Sequence, residues 1–196
     1  MVTTLIFAEL LIVGFQVILI ILLIILTFGG HHLLMLSDIK DWQSLLTLFM
    51  LASSYTIGTM FDRFTHYIFS NKYDKIKETI IPNPPYSTSV MRSFVTQKND
   101  NLNLLFEYTR SKIRLSRATA INMPFITLFF SLYFLSHLSF ENLTVKISIL
   151  ITILIFGVSL SFLSFFSWKR LVITYFRIIQ SNYEAFISKN KTDQKD

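Results

Sequence analysis

The stretch LIFAELLIVGFQVILIILLIILTF at residues 5–28 decides the fold, because its 24 residues contain a single ionisable side chain, Glu9. Roughly 20 apolar residues in a helix cover the hydrocarbon core of a bilayer. Three further stretches reach that length, at residues 42–61, 119–140 and 147–167. We therefore predict an all-α transmembrane protein with four membrane-spanning helices.

The composition supports this prediction. The chain has 196 residues, of which 52% are hydrophobic and 15% are charged. A soluble domain of this size interrupts its apolar residues with polar positions, so the composition argues against a soluble enzyme, a secreted disulfide scaffold and a disordered chain. The chain contains no cysteine, which excludes a disulfide, a thiolate nucleophile and a cysteine metal ligand.

The positive charges predict the orientation of the spans. Sixteen of the 18 Lys and Arg residues lie either in residues 62–118 or in the segment that follows the fourth span. The two opposite loops, 29–41 and 141–146, carry only Lys40 and Lys146. Because cytoplasmic loops carry the excess of Lys and Arg, we expect both termini and the middle segment to be cytoplasmic.

The segments outside the spans are predicted to be helical too. Three prolines within residues 80–89 exclude a continuous helix there, and a helix is expected on each side of this turn. Apolar side chains recur with the helical period after Trp168, which predicts an amphipathic helix that lies either along the membrane surface or against the middle segment. The chain thus divides into transmembrane hairpins at 1–61 and 119–167, a cytoplasmic helical segment at 62–118, an amphipathic helix at 168–188 and a disordered tail at 189–196.

The densest charge feature is an arginine row, Arg110, Arg114 and Arg117. The spacing of i, i+4 and i+7 places the three guanidinium groups on one face of a helix. The row has two interpretations. It contacts anionic lipid headgroups and sets the topology, or it docks an acidic partner or a phosphorylated ligand, because guanidinium groups bind carboxylate and phosphate at two points.

Polar side chains inside the spans are further candidate sites, because such groups are costly in lipid. In the first span, Glu9 and Gln16 share one face. Glu9 lies near enough to the cytoplasmic end to reach water or to pair with Arg63 or Arg117, and a structural pair is favoured over a proton or ion relay. In the second span, polar residues repeat at helical spacing, which is typical either of packing between helices or of a water-lined path. This polar row consists of Tyr55, Thr59, Asp62 and His66.

No pattern of metal ligands or catalytic residues accompanies these features. The adjacent His31 and His32 cannot share a helical face, and no other residues around them have the spacing of a metal site. The chain also lacks the motifs of membrane metalloproteases and of phosphate-binding loops. We therefore expect no metal, no cofactor and no enzymatic activity. We also expect no direct nucleic-acid binding, because the membrane topology already accounts for the positions of the basic residues.

The layout resembles the membrane subunit of Kiwa-type bacterial anti-phage defence systems, the KwaA family. The features that carry the resemblance are the four spans with short outer loops, the stalk at residues 55–69, the arginine row and the amphipathic helix from Trp168, and together they extend over the whole chain. The resemblance implies a homo-oligomer of the bacterial inner membrane that senses infection and holds a soluble, DNA-binding effector on its cytoplasmic face. The resemblance also implies that the arginine row is a candidate docking site for that effector.

Two functional hypotheses follow. The first is an inner-membrane sensor or scaffold subunit that homo-oligomerises, recruits a soluble cytoplasmic protein and contacts anionic lipids. It is favoured because nearly all of the mass outside the spans belongs to the basic cytoplasmic segments. The alternative is an oligomeric pore or ion-channel-like effector, in which Tyr55, Thr59 and Asp62 line the path.

Overall fold

Five helices make up the chain. A computed structural model describes residues 2–29, 43–82, 85–98, 100–137 and 143–192. The helices are α1 (Val2–Gly29), α2 (Gln43–Ile80), α3 (Thr88–Lys98), α4 (Asp100–His137) and α5 (Leu143–Thr192). No strand occurs within these ranges, so the predicted all-α class is confirmed. Of the two predicted outer loops, residues 30–41 and 141–142 lie outside the described residues, and residues 143–146 belong to α5.

Four of the helices, α1, α2, α4 and α5, are long and apolar enough to cross a membrane, in agreement with the number of predicted spans. At about 1.5 Å per residue, the 38 residues of α2 and of α4 each extend about 57 Å, and the 50 residues of α5 extend about 75 Å. The hydrocarbon core of a bilayer is only about 30 Å thick. Each of these three helices is therefore much longer than one membrane crossing requires.

The extensions of α2, α4 and α5 pack together with α3 into a helical layer, which comprises the described residues of 62–118 and 168–188. The ring of Phe69 in α2 meets Trp168 of α5 edge-on, with centroids 4.6 Å apart, and Tyr73 meets Phe176 at 5.1 Å. Helices α3, α4 and α5 supply further buried side chains of this core, among them Met91, Val95, Phe106, Val172 and Ile179. The main hydrophobic core thus lies in the layer.

The amphipathic helix predicted at residues 168–188 is the second half of α5 and not a separate element. After Gly157 the sequence of α5 contains neither glycine nor proline, so nothing ends the helix before Thr192. Its apolar face packs against the middle segment, which is one of the two predicted placements.

The segment 189–196 was predicted to be a disordered tail, and α5 continues through its first four residues to Thr192. The physical reason is that extending an existing helix fixes only one residue for each new hydrogen bond. Residues 193–196 lie outside the described part of the chain.

The proline-rich turn separates α2 from α3, as predicted. The backbone N–H of Ile81 donates to the carbonyl of Lys77 at 2.8 Å and closes the last turn of α2. On the other side, the Ser87 carbonyl accepts from the N–H of Met91 at 3.0 Å as α3 begins. Pro82 and Pro85 lie between these bonds, and residues 83 and 84 of the same turn lie outside the described residues.

Small residues bring α1 and α2 into backbone contact. A Cβ atom added to Gly14 would lie 1.7 Å from the carbonyl oxygen of Ser54, and one added to Gly58 would lie 2.0 Å from that of Leu10. The Ser54 hydroxyl donates to the Leu11 carbonyl at 2.7 Å. Close approach through glycine and serine is a common way for membrane helices to associate. The outer surfaces of α2 and α5 are open. In the most apolar 18-residue stretch of each helix, only 11% of α2 and 6% of α5 is buried.

Candidate functional site

A charged cluster lies where α1, α2 and α4 meet, and it brings three of the predicted features together. The first span contributes a carboxylate, the polar row of α2 contributes an aspartate and a histidine, and α4 contributes the arginine row. We call the following residues the charged cluster: Glu9, Asp62, His66, Arg110, Arg114 and Arg117.

Arg117 is the most buried arginine of the cluster, with 5% of its surface exposed. Its Nη2 donates to Oδ1 of Asp62 at 2.6 Å, and its Nε donates to the hydroxyl of Thr65 at 3.1 Å. Its Nη1 lies 3.1 Å from Nδ1 of His66. Because a guanidinium has no acceptor, Nδ1 accepts this bond and the ring proton of a neutral His66 is on Nε2. All three nitrogens of Arg117 therefore connect α4 to α2.

Arg114 connects α4 to α1. Its Nε donates to Oε1 of Glu9 at 2.7 Å, and its Nη2 lies 3.3 Å from Oε2, so the pair has two-point geometry. Only 3% of the Glu9 side chain is exposed. Glu9 was predicted to pair with Arg63 or Arg117. Its partner is Arg114, because α1 packs along α4 while Arg63 lies on an exposed side of α2.

Arg110 is the open end of the arginine row. Its side chain is 44% exposed, and its Nη1 lies 3.3 Å from a carboxylate oxygen of Glu107. The same oxygen accepts from Arg92 of α3, so one carboxylate serves two guanidinium groups. Arg110 is therefore the member of the row whose charge remains most available to solvent.

A small cavity of about 210 Å³ lies inside the cluster. Its lining residues are Asp62, His66, Tyr73, Arg110, Ile113, Arg114 and Arg117. Most of the donors of Arg114 and Arg117 are already bound by protein acceptors. The arrangement therefore acts as an ion-paired clamp that holds α1 and α2 to α4, and Arg110 is the arginine of the cluster with the most N–H groups left for an added anion.

The polar row of α2 is divided by the fold. Asp62 and His66 belong to the charged cluster, whereas Tyr55 is 40% exposed and its ring lies 5.2 Å from that of Phe7. The Thr59 hydroxyl donates to the carbonyl of Tyr55 at 2.9 Å, within the helix. Tyr55 and Thr59 line an outward-facing hollow of about 340 Å³. The other residues that line it are Thr56, Met60 and Arg63.

The second residue of the predicted polar face of α1, Gln16, also contacts α4. Its Nε2 donates to the hydroxyl of Thr119 at 3.1 Å, and its Oε1 accepts from Nδ2 of Asn122 at 3.0 Å. Asn122 is fully buried. Glu9 and Gln16 therefore both join α1 to α4 through polar contacts, which is a structural use of the face on which they lie.

One surface was missed by the sequence analysis, an exposed apolar stripe on the part of α4 that belongs to the helical layer. Leu104, Leu105 and Tyr108 are 52%, 41% and 46% exposed and lie opposite the buried Phe106. Nζ of Lys112 lies 4.3 Å from the centroid of the Tyr108 ring. The i, i+4 spacing of Leu104 and Tyr108 is the signal that would have identified this stripe.

The histidines of the described chain have local contacts. His66 is bound by Arg117, and the ring of His137 stacks on Tyr133 with centroids 4.9 Å apart. Within the described ranges, no three His, Asp or Glu residues lie close enough together to hold a metal ion. His31 and His32 lie outside those ranges.

No family model matches the chain, and neither a curated protein nor a solved structure matches it.

Proposed function

We propose that this protein is a sensor or scaffold subunit of the bacterial inner membrane, which assembles with copies of itself and holds a soluble protein on its cytoplasmic side. The distribution of Lys and Arg supports the orientation, because 16 of 18 belong in the sequence to residues 62–118 or to the segment after the fourth predicted span. The resemblance to the membrane subunit of Kiwa-type systems supports a role in anti-phage defence.

The observation that carries the proposal is the apolar stripe of Leu104, Leu105 and Tyr108. These residues precede the third span by 11 to 15 positions, which is about 16–22 Å along the helix at 1.5 Å per residue. At that distance the stripe meets water and not hydrocarbon. Exposed apolar patches in water mark contacts between proteins. The stripe is therefore our first candidate for the docking surface.

The geometry also changes which member of the arginine row is suited to docking. Arg114 and Arg117 direct their donors to Glu9 and Asp62, so reversing their charge would break the contacts of α4 with α1 and α2. Arg110 can be changed with less damage, because it is exposed and its partner Glu107 retains Arg92. We keep Arg110 as the docking candidate of the row.

The outward hollow on α2 supports assembly with other copies. The hydroxyls of Thr56 and Thr59 in this hollow bond to carbonyls of their own helix, whereas Met60 and Arg63 are exposed. An exposed guanidinium in this part of α2 is better satisfied by protein than by hydrocarbon. A second copy of the chain would cover Met60 and Arg63.

The double variant Leu104→Glu, Tyr108→Glu tests the docking surface. Tagged wild-type protein, purified from its host in mild detergent, is expected to retain a soluble protein in fixed stoichiometry by mass spectrometry and mass photometry. The double variant is expected to retain less than about a tenth of it, because two charges are placed in an apolar contact. The matched control is Asn71→Glu, Thr79→Glu, which adds the same charge at exposed positions of α2. Equal retention by both variants would contradict the docking surface.

The second candidate function is a pore, and the hollow on α2 favours it, because copies arranged around α2 would line their axis with Tyr55 and Thr59. Asp62 contributes less than the sequence suggested, since its carboxylate is bound to Arg117. A purified homo-oligomer without a soluble partner, together with loss of membrane potential on expression, would favour the pore. Growth arrest at an intact membrane potential would count against it.

A further inference from the structure

A groove of about 410 Å³ lies between α2, α4 and α5, at the level where the spans join the helical layer. Its lower end is closed by Phe69, whose ring lies 6.1 Å from Phe165 and 4.6 Å from Trp168. On the membrane side of Phe69, no aromatic contact joins α2 to α5 among the described residues. The groove is separate from the charged cluster and from the apolar stripe.

The upper part of the groove is apolar and opens sideways. Its walls include Pro124 and Ala120 of α4 and Val158 and Phe162 of α5. Val158 and Phe162 are 63% and 67% exposed, so the opening lies on the outward apolar surface of α5. The hydroxyl of Ser161 donates to the Ala120 carbonyl at 2.8 Å, so this polar group is already satisfied. Such a wall suits a hydrocarbon chain.

The lower rim of the groove carries a cation. Nζ of Lys72 lies 4.8 Å from the ring centroid of Phe165 and 5.9 Å from that of Phe69, so two aromatic faces hold the ammonium in place. No carboxylate of the described chain lies within ion-pair distance of Lys72. Phe165 immediately precedes the end of the apolar run of α5, where Lys169 begins the basic segment. Because its ammonium lies beside Phe165, Lys72 is level with the end of the fourth predicted span, 147–167, and we place the headgroups at that height. Lys72 itself lies 11 residues beyond the predicted end of the second span.

We propose that the groove binds one anionic phospholipid from the leaflet on the side of the helical layer. An acyl chain occupies the space between Pro124, Val158 and Phe162, and the phosphate lies beside Lys72. The charge of Lys72 and the sideways opening select this occupant, because a zwitterionic lipid brings its own cation close to the ammonium of Lys72 and a free phosphate leaves the apolar walls empty. The bound lipid fills the gap between α2 and α5 and so joins the spans to the layer. This proposal does not depend on the identity of any protein partner.

The test uses the full-length protein, purified in detergent, delipidated and titrated with phosphatidylglycerol or phosphatidylcholine. Native mass spectrometry counts the bound lipids, and a thermal shift measures the stabilisation. Phosphatidylglycerol is expected to bind about fivefold more tightly than phosphatidylcholine, and Lys72→Gln is expected to abolish this difference. Val158→Trp is expected to prevent binding of both lipids, because it fills the opening. The matched controls are Lys75→Gln on α2 and Val145→Trp on α5, and they are expected to bind like the wild type.

Results of three kinds would overturn the proposal. The first is equal binding of the two lipids by the wild-type protein. The second is an unchanged preference for phosphatidylglycerol in Lys72→Gln or an unchanged lipid count in Val158→Trp. The third is a thermal shift from inorganic phosphate as large as that from phosphatidylglycerol, since this would assign Lys72 to a free anion.

Discussion

Replacing Trp168 by alanine is expected to lower the free energy of unfolding by about 3–5 kcal/mol, the range observed when a large aromatic side chain is removed from a core. Trp168 is 1% exposed, and its ring contacts Phe69 at 4.6 Å and Phe165 at 5.7 Å. The contacts join α2 to α5, so the cavity left by alanine loosens the whole helical layer. Unfolding in detergent, followed by far-ultraviolet circular dichroism, measures the effect without relying on tryptophan fluorescence.

Two variants separate packing from the chemistry of the indole. Nε1 of Trp168 is buried and meets no acceptor among the described residues, so Trp168→Phe removes an unsatisfied donor and is expected to cost less than about 1.5 kcal/mol. Phe156→Ala, at a position of α5 that is 65% exposed, is the matched control and is expected to change stability by less than about 0.5 kcal/mol. If Trp168→Ala were as mild as the control, the principal core would not lie in the layer.

Arg117→Ala is expected to destabilise the protein by about 3 kcal/mol, because it removes one partner of a largely buried ion pair. The loss leaves Asp62 without its partner at 2.6 Å and the hydroxyl of Thr65 and Nδ1 of His66 without their donor. The expected value is at the low end for such pairs, because 22% of the Asp62 side chain remains exposed to solvent. Unfolding in detergent, compared between the variant and the wild type, gives the measurement.

The arginine row supplies its own control. Arg110→Ala is expected to cost less than about 1 kcal/mol, since Arg110 is 44% exposed and Glu107 keeps its contact with Arg92. The double variant Asp62→Leu, Arg117→Met is expected to recover more than half of the loss, because it removes both buried charges. Equal losses for Arg110→Ala and Arg117→Ala would show that the charged cluster does not clamp the helices.

Several structural elements could be predicted from the sequence, because they depend only on residues that are close together along the chain. The four apolar runs required only a count of residues between charges, and the break between α2 and α3 required only the prolines of residues 80–89. The end of α5 was predicted less well. Polar composition after Lys189 indicated a disordered tail, but composition carries little information about how far an existing helix extends.

The sequence by itself determined that this chain has four helices able to cross a membrane, a turn between α2 and α3, and a concentration of positive charge on one side. Only the tertiary structure decided which side chains pair with one another. Glu9 and Arg114 are separated by 105 positions, and whether α1 offers its carboxylate to Arg114 or to Arg117 depends on the relative height and rotation of two packed helices. The same packing turned Leu104 and Tyr108 outward and formed the groove beside Lys72. Hydropathy and charge are properties of a segment, whereas a site is formed by side chains that distant segments bring together.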